Sequence, residues 1–434
     1  MTEPDLWQRA VDTLRGNRVG RITLPAPHQY PHQWSWDSAF IAIGLAHCDP
    51  AAARAELLSL FAGQWPDGRV PQIVYNPEAP DTYFPGPDFW RSPTTHGGAG
   101  GAAPRTSGLV QPPMHARAAL RVYQVDPAGS VDFLRRLYPK LVAWHRYLGT
   151  ARDVGGGGLA AIVHPWESGL DNSPLWDAAI AAAGPFDARP FTRHDVTHVG
   201  AAQRPTDTDY RAYIGLAAGY RDTGCDDGAL SGHRFVVEDP LFNAVLLDAE
   251  LCLARIAGVL GADRSGHEKD AHRVHRGLTE RLWNGDRFTS LDVRTGGRSD
   301  TVTVGCLTPL LDPWLDPDVR RRLVDVLTSV DFLGCGFPVP STAVGAPAFD
   351  PHRYWRGPTW INTNWLIWLA ARAIGRLDLA DRIAESGLAL VGAQGFREYY
   401  GPLDGAGLGA RDFSWSAALT LDWLASGRNP PPPS

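Results

Sequence analysis

The sequence is poor in cysteine and has no hydrophobic run long enough to span a membrane. Its five cysteines are scattered along 434 residues without any Cys-x-x-Cys spacing, which argues against a disulfide framework or a zinc site. The N-terminus lacks a basic segment followed by an apolar one, so no signal peptide is predicted. The net charge of −6 argues against nucleic acid as the main partner. We therefore expect a cytoplasmic protein with neither a membrane nor a nucleic-acid partner.

Motifs for binding phosphate, dinucleotides and metals are also missing. No Gly-x-x-x-x-Gly-Lys-Ser/Thr and no Gly-x-Ser-x-Gly sequence occurs, so neither a phosphate-binding loop nor a serine hydrolase elbow is indicated. His267 and His272 are five positions apart, which places them on different faces of a helix and argues against a shared metal. Gly405-Ala-Gly-Leu-Gly409 lacks the last glycine of a dinucleotide fingerprint. We therefore predict no cofactor and no metal ligand, while Asp207-Thr-Asp209 is too short a signal to decide whether a structural calcium binds.

Helical periodicity dominates the rest of the sequence. Convincing strand alternation is almost absent, and apolar residues recur at helical spacing at about 3–18, 38–46, 51–62, 110–125, 129–150, 207–223, 239–261, 265–284, 300–312, 316–330, 358–375, 377–393 and 411–426. No repeat of fixed period and no internal linker is visible. We predict one all-α domain over residues 1–428 and a proline-rich tail at 429–434. Helical hairpins closed into a ring, an (α/α)6 barrel, would collect the long loops on one face.

The longest loops combine carboxylates with aromatic rings. The loop from His164 to Asp177 holds Glu167, Asp171 and Asp177 among two tryptophans, two prolines and a glycine, a composition that disfavours helix and strand. An aromatic wall desolvates a carboxyl group and raises its pKa, which is what a general acid near neutral pH needs. Such a wall also stacks well against a sugar ring. Helix capping and turn formation are alternative roles for all three carboxylates.

Other loops have the same character. One aromatic loop ends at Asp37, where a helix begins and where the carboxylate is either a cap or a substrate contact. The segment Tyr354–Trp365 brings aromatic, guanidinium and amide groups to the start of an apolar helix, and the stretch Phe396–Gly409 holds Glu398. The region 76–108 is too long for an ordinary connection, so we predict a mobile flap over a site.

Three long motifs lie in these loops. They are His-Pro-Trp-Glu-Ser-Gly-Leu-Asp-Asn-Ser-Pro, Tyr-Trp-Arg-Gly-Pro-Thr-Trp-Ile-Asn-Thr-Asn-Trp, and Arg-Glu-Tyr-Tyr…Gly-x-Gly…Phe-Ser-Trp-Ser-Ala-Ala, and with Gln-Trp-Ser-Trp-Asp-Ser-Ala-Phe near the start they span essentially the whole chain. Together they resemble glycoside hydrolase family 63. The resemblance implies an (α/α)6 barrel and inverting hydrolysis of α-glycosides. The compact size is similar to that of the bacterial members that hydrolyse mannosylglycerate and glucosylglycerate.

The resemblance also implies roles for individual residues. By motif, Asp171 becomes the general acid and Glu398 the general base. The sugar subsite would be lined by Tyr30, Trp34, Trp36, Asp37, Tyr354, Trp355, Arg356, Trp360 and Trp415. The glycerate end is assigned to Arg204, Tyr210, Gln111 and Tyr83. Arg204 would bind the carboxylate because a guanidinium matches it with two parallel hydrogen bonds, although a surface position for this arginine is an alternative.

Several alternatives stay open at this point. The substrate would be a small carbohydrate, with glucose or mannose as the sugar, and the protein would act alone or as a homo-oligomer. A related α-glucosidase would act on a disaccharide or an oligosaccharide end, in a pocket without a cation for glycerate. A sugar-binding barrel without catalysis is a second alternative. A barrel enzyme of other chemistry is a third, and it would need a histidine pair at the cavity floor, for which His28, His32 and His194 are available.

Overall fold

The computed structural model describes residues 2–79, 83–92, 104–187 and 191–426. Its α-helices, in chain order, are α1 (Glu3–Gly16), α2 (Ser35–Leu45), α3 (Pro50–Leu60), α4 (Pro87–Trp90), α5 (His115–Val125), α6 (Pro127–Thr150), α7 (Asp177–Ala182), α8 (Asp207–Asp222), α9 (Pro240–Leu260), α10 (Ser265–Gly277), α11 (Val304–Leu307), α12 (Pro317–Thr328), α13 (Ile361–Ala373), α14 (Leu377–Gln394) and α15 (Ser414–Ser426). No helix in these ranges is both long and apolar enough to cross a membrane.

The helices form two concentric layers. The inner layer contains α2, α5, α9, the 3-10 turn Thr308–Leu311 that follows α11, α13 and α15. Each of these elements packs on the next in this order, and α15 packs on α2. The ring is therefore closed. Helices α1, α3, α6, α10 and α14 pack on its outside, each against inner helices. The predicted (α/α)6 barrel is confirmed.

Local sequence explains where several helices begin and which layer they occupy. Thr2 with Asp5, and Thr206 with Asp209, form capping boxes that satisfy free backbone N–H groups at the starts of α1 and α8. Helix α2 is mostly apolar after its first turn and all of its residues are buried, as the inner layer requires. Helix α10 buries only one face, as expected for the outer layer.

Small antiparallel sheets lie among the loops, which the sequence did not predict. The strands are β1 (Arg18–Val19), β2 (Ile22–Thr23), β3 (Gln33–Trp34), β4 (Ile73–Val74), β5 (Ala161–Ile162), β6 (Val237–Glu238), β7 (Leu291–Asp292), β8 (Arg397–Tyr400) and β9 (Gly407–Arg411). They pair as β1–β2, β3–β4, β5–β6–β7 and β8–β9. Most contain only two residues, too few to show an alternating pattern.

The hydrophobic core is continuous through the barrel. One cluster of buried side chains extends from Leu6 in α1 to Leu424 in α15, so the two ends of the described chain share a core. A second cluster, which includes Trp34, Trp65 and Trp90, lies among the loops. Full burial of one such side chain contributes roughly 1.5–3 kcal/mol. The predicted tail at 429–434 lies outside the described residues.

The predicted flap at 76–108 is described in part. Its segment Gly97–Gly101 lies outside the described residues, so closure stays a prediction. Helix α4 lies in the described part, where Trp90 is buried. Tyr83 packs edge-on against Trp34, with ring centroids 5.5 Å apart. The described part of this region therefore contacts the aromatic loop that precedes α2.

Close packing of two inner helices generates a stability prediction. A Cβ atom at Gly44 in α2 would lie 2.3 Å from the Cα of Ala418 in α15, so Gly44→Ala must push the helices apart. We expect a loss of about 1–3 kcal/mol in the free energy of unfolding, measured by denaturant titration. Gly392→Ala in α14 is the matched control, because a Cβ there meets nothing within 4 Å. It should be neutral or stabilise by about 0.5–1 kcal/mol; equal effects of the two changes would contradict the packing argument.

Candidate active site

A cavity opens among the loops and contains nearly all of the predicted site residues. Its lining consists of Pro25, Gln29, Tyr30, Trp34, Trp36, Asp37, Gln72, Ile73, Tyr83, Phe84, Pro85, Trp90, Gln111, Trp166, Gly169, Asp171, His194, Asp195, Arg204, Pro205, Tyr210, Tyr354, Trp355, Glu398, Phe413 and Trp415. Of the residues predicted from the sequence, only Arg356 and Trp360 are outside this lining. The cavity therefore combines aromatic walls with several carboxyl groups.

Asp171 is fixed by its own loop and by two neighbouring tyrosines. The indole of Trp176 donates a hydrogen bond to the carbonyl of Leu170 (2.8 Å), and the hydroxyl of Tyr213 donates to the carbonyl of Asp171 (3.2 Å). The hydroxyl of Tyr354 donates to Oδ2 of Asp171 (3.3 Å). Burial raises the pKa of Asp171 to about 7, against the lowering effect of the Tyr354 hydrogen bond and with a further increase from the charge of Glu398. This carboxyl group can hold a proton near neutral pH.

The other two carboxylates of the Asp171 loop do not face the cavity. Glu167 is fully buried and accepts hydrogen bonds from both Nη atoms of Arg152 (2.7 and 2.9 Å) and from the backbone N–H groups of Val110 and Val163. Asp177 is half-exposed, stands at the start of α7 and pairs with Arg356. Glu167 therefore anchors the loop to Arg152, and Asp177 pairs with Arg356 where the loop ends.

Glu398 lies on strand β8 and is held by four hydrogen bonds. Its Oε1 accepts from the hydroxyl of Tyr30 (2.7 Å) and from Nη1 of Arg204 (3.0 Å), and its Oε2 accepts from Nη2 of Arg204 (2.5 Å) and from the backbone N–H of Ala410 (2.9 Å). The neighbouring strand must approach closely at Gly409, where φ is +65° and a Cβ atom would lie 2.5 Å from Oε2. Glycine at this position therefore allows the β8–β9 hairpin to enclose the carboxylate.

The structure gives Arg204 a different partner from the predicted one. Its two Nη atoms donate hydrogen bonds to the two carboxylate oxygens of Glu398, and Nη1 also donates to the hydroxyl of Tyr30. The predicted pair of parallel hydrogen bonds is therefore made to a carboxylate of the protein. The side chain is 1% exposed, and the surface position considered as an alternative is wrong. Its guanidinium carbon lies 4.9 Å from the ring centroid of Tyr354. Arg204 is the only arginine or lysine among the described residues that line the cavity.

Arg356 and Trp360 do not line the cavity as predicted. Arg356 points to the outer side of the Asp171 loop, where Asp177 offers an opposite charge. Trp360 stacks flat on Trp355, with ring centroids 3.6 Å apart and an interplanar angle of 5°, and is only 1% exposed. Trp355 thus forms the wall, and Trp360 supports it from behind. Motif position cannot distinguish these two layers, because both rings belong to one short segment.

Asp37 presents a further carboxyl group to the cavity. It is buried in the first turn of α2. Burial raises its pKa well above the usual range, and the charges of Glu398 and Asp171 raise it further. Asp37 is not the helix cap, because Trp34 occupies the N-cap position of α2. It lines the cavity, and its contact with substrate stays a prediction.

The histidines that the sequence left open do not form a pair at the cavity floor. His194 lines the cavity. His32 is buried behind it against Tyr75 and Tyr83, and burial lowers its pKa to about 4. His28 lies in a separate groove near His198, with ring centroids 6.3 Å apart. Among the residues that the structure describes, no group of three or more His, Cys, Asp and Glu side chains is arranged to hold a metal ion.

Several lining residues were not predicted. They are Phe84, Pro85, Trp90, Trp166, Asp195, Gln29, Gln72 and Phe413, together with smaller contacts. Trp166 could have been predicted from the sequence, because it belongs to the same motif as Asp171. Asp195 gave no such signal, and its carboxylate is paired with Arg193.

Comparisons with known proteins agree with this geometry. The chain is 38% identical over 436 residues to the mannosylglycerate hydrolase of Rubrobacter radiotolerans, covering 98% of this chain and 97% of the relative. It is 36% identical over 457 residues to the glucosylglycerate hydrolase of Mycolicibacterium hassiacum, covering 98% of each. The crystal structure of the GH63 mannosylglycerate hydrolase from Thermus thermophilus in complex with Tris and D-glycerate matches with a TM-score of 0.89 at 40% identity, covering 96% of this chain and 99% of that one.

The family assignment follows from the extent of these matches. Residues 30–416 match the family described as mannosylglycerate hydrolase MGH1-like glycoside hydrolase domain. This range begins at Tyr30 and ends just beyond Trp415, so it includes Asp171, Arg204 and Glu398. The chain belongs to this family of glycoside hydrolases, within GH63.

Proposed function

We propose that the protein hydrolyses mannosylglycerate or glucosylglycerate to the free sugar and glycerate, with inversion at the anomeric carbon. The observation that carries this proposal is the pair of carboxyl groups, Asp171 and Glu398, that line one cavity in different environments. Asp171 has a pKa raised to about 7 by burial, whereas Glu398 is paired with a guanidinium. Two carboxyl groups in such different environments are suited to act as an acid and a base.

The proposed chemistry follows from these two environments. Asp171 protonates the glycosidic oxygen as the bond to the anomeric carbon breaks. Glu398 takes a proton from a water molecule that attacks the opposite face of the sugar. An inverting site needs a carboxyl separation of roughly 6.5–9.5 Å, so that this water fits between base and substrate. Glu398 is buried and Asp171 is partly buried, which strengthens the electrostatic interactions during the reaction.

The sugar subsite is proposed on the aromatic side of the cavity. Trp34, Trp36, Tyr354 and Trp355 offer ring faces and edges, while Trp415 lies beside Phe413. Asp37 would accept hydrogen bonds from sugar hydroxyls, because its carboxyl has no partner among the side chains of the described residues.

The glycerate end is proposed near Arg204. Tyr83 and Tyr210 line the same cavity, and Gln111 uses its Oε1 to accept from the backbone N–H of Trp36 (3.0 Å), which leaves its amide NH₂ to donate. The solved Thermus relative in complex with D-glycerate supports an aglycone of this kind. The cytoplasmic location and a possible homo-oligomer stay predictions.

A neutral α-glucoside is the second candidate substrate. The specific observation in its favour is that Arg204 is already paired with Glu398, so the described part of the cavity lining offers no unpaired guanidinium to an acidic aglycone. An enzyme for a disaccharide would keep Asp171 and Glu398 in the same roles.

Purified enzyme should distinguish these substrates. We expect hydrolysis of mannosylglycerate or glucosylglycerate, followed by proton NMR, to release the β-anomer first, because an inverting reaction reverses the α configuration. An α-linked glucose disaccharide is the control. Hydrolysis of the disaccharide without the glycerate conjugates would reject the glycerate proposal, and release of the α-anomer would reject inversion.

The pKa of Asp171 predicts a pH dependence. Because this carboxyl is protonated below about 7 and ionised above it, kcat/KM should fall as the pH rises through about 7. Asp171→Asn should lower activity on a glycerate conjugate by roughly 10²–10⁴-fold. It should spare much of the activity on a glycosyl fluoride, whose leaving group needs no proton from the enzyme. Glu398→Gln, the matched control, should remove activity on both substrates, and equal losses for the two variants on the fluoride would contradict the assigned roles.

A further inference from the structure

The four hydrogen bonds of Glu398 occupy all of the lone-pair positions with which it could accept a hydrogen bond from water. A carboxylate offers about four lone-pair positions, two on each oxygen. Tyr30 and Arg204 occupy both positions on Oε1, and Arg204 and the backbone N–H of Ala410 occupy both on Oε2. A general base must accept a proton from water within hydrogen-bond distance. At least one of these donors must therefore withdraw before Glu398 can act.

Arg204 is the donor that a substrate can remove. The N–H of Ala410 belongs to the main chain of β9 and is fixed by the β8–β9 pairing, and Tyr30 carries no charge that would draw it to a substrate. Arg204 follows the 3-10 turn Ala201–Gln203 on a loop before α8. Its Nε is buried and has no hydrogen-bond partner among the described residues. Its guanidinium is thus held through its two Nη atoms.

Arg204 is the group in the cavity that an acidic substrate would bind. Asp37, Asp171 and Asp195 line the cavity together with Glu398. An ionised substrate carboxylate that enters this cavity is strongly disfavoured unless it gains a compensating cation. Among the described residues of the lining, Arg204 is the only arginine or lysine. An incoming carboxylate and Glu398 therefore compete for the same two Nη atoms.

We propose that the carboxylate of the glycerate end takes over the Nη atoms of Arg204 and thereby releases Glu398 to act as the general base. This inference rests on the proposed function. After the exchange Oε1 keeps Tyr30 and Oε2 keeps Ala410, so each oxygen gains one free lone pair. Water donates its proton to Glu398 while its oxygen bonds to the anomeric carbon, and the glycosidic oxygen leaves with the proton of Asp171. The aglycone is a specificity element that acts on the chemical step as well as on binding.

The first test compares two substrates that differ only in this carboxylate. The glycerate conjugate and the same α-glycoside of glycerol, in which CH₂OH replaces the carboxylate, are measured to saturation. Because general base catalysis typically contributes 10²–10⁴-fold, we expect kcat for the glycerol glycoside to be lower by roughly 10²-fold. Equal kcat values with a difference in KM alone would overturn the inference, since the carboxylate would then contribute only uniform binding.

This comparison also separates the inference from the proposed function. If the glycerate conjugate is hydrolysed with kcat equal to that of the glycerol glycoside, the function stands and the exchange is wrong. If the glycerate conjugate is not hydrolysed at all, the proposed function fails, and the exchange fails with it.

A second test supplies the carboxylate separately. An α-glycosyl fluoride fills the sugar subsite without an aglycone, and its hydrolysis needs Glu398 but no acid. D-glycerate, at concentrations that inhibit hydrolysis of its own conjugate, should accelerate fluoride hydrolysis several-fold, whereas glycerol should not. Inhibition or no change under these conditions would overturn the inference.

Two variants complete this second test. Arg204→Gln removes the competing cation, so fluoride hydrolysis should become insensitive to D-glycerate. Arg356→Gln is the matched control, because this arginine pairs with Asp177 outside the cavity lining. It should keep the acceleration by D-glycerate. Persistent acceleration in Arg204→Gln would contradict the assigned role of Arg204.

Discussion

The ion pair between Arg204 and Glu398 is the contact on which the site depends. It joins two positions 194 residues apart in sequence, one on the loop before α8 and one on the β8–β9 hairpin. Both side chains are 1% exposed, so their desolvation is costly. The cost is offset because the carboxylate receives four hydrogen bonds and the guanidinium faces the ring of Tyr354. Removing either partner would leave a buried charge without compensation, which typically costs about 3–5 kcal/mol.

The same cavity gives its two main carboxyl groups opposite properties. Asp171 receives one side-chain hydrogen bond, from Tyr354, and burial raises its pKa to about 7. Glu398 instead accepts four hydrogen bonds, two of them from the guanidinium of Arg204. The charge of Glu398 in turn contributes to the raised pKa of Asp171. Ionisation of the base therefore helps to keep the acid protonated, so the two assignments depend on each other.

Nearly all of the residues predicted for the site line the cavity, because they are concentrated in a few aromatic loops. Periodicity predicted the helices well: the pattern at 239–261 corresponds to α9 (Pro240–Leu260), and that at 377–393 to α14 (Leu377–Gln394). The number of predicted helices, joined by long loops without a linker, then indicated an (α/α)6 barrel. The motif resemblance then separated Asp171 and Glu398 from the other carboxylates, which local composition alone did not do.

What the sequence could not provide was the direction and partner of each side chain. Glu167 and Asp171 are four residues apart in one loop, yet Arg152 binds the first and the cavity receives the second. Trp355 and Trp360 form two layers of one wall, which depends on their stacking. Arg204 was correctly placed in the cavity, but its pairing with Glu398 depends on the β8–β9 hairpin. The strands of that hairpin were invisible because glycine occupies two of the five positions of β9.

The acid and the base are held in physically different ways, and this difference has a functional consequence. The Asp171 loop is anchored by Glu167, whose partner Arg152 is fully buried and also pairs with Asp227. These three side chains lie outside the cavity lining that the described residues form. Glu398 is held by Arg204, which does line the cavity and so is exposed to competition from whatever enters. A fixed acid and a releasable base make the arrival of the correct aglycone a condition for activating water, which would protect other α-glycosides from hydrolysis.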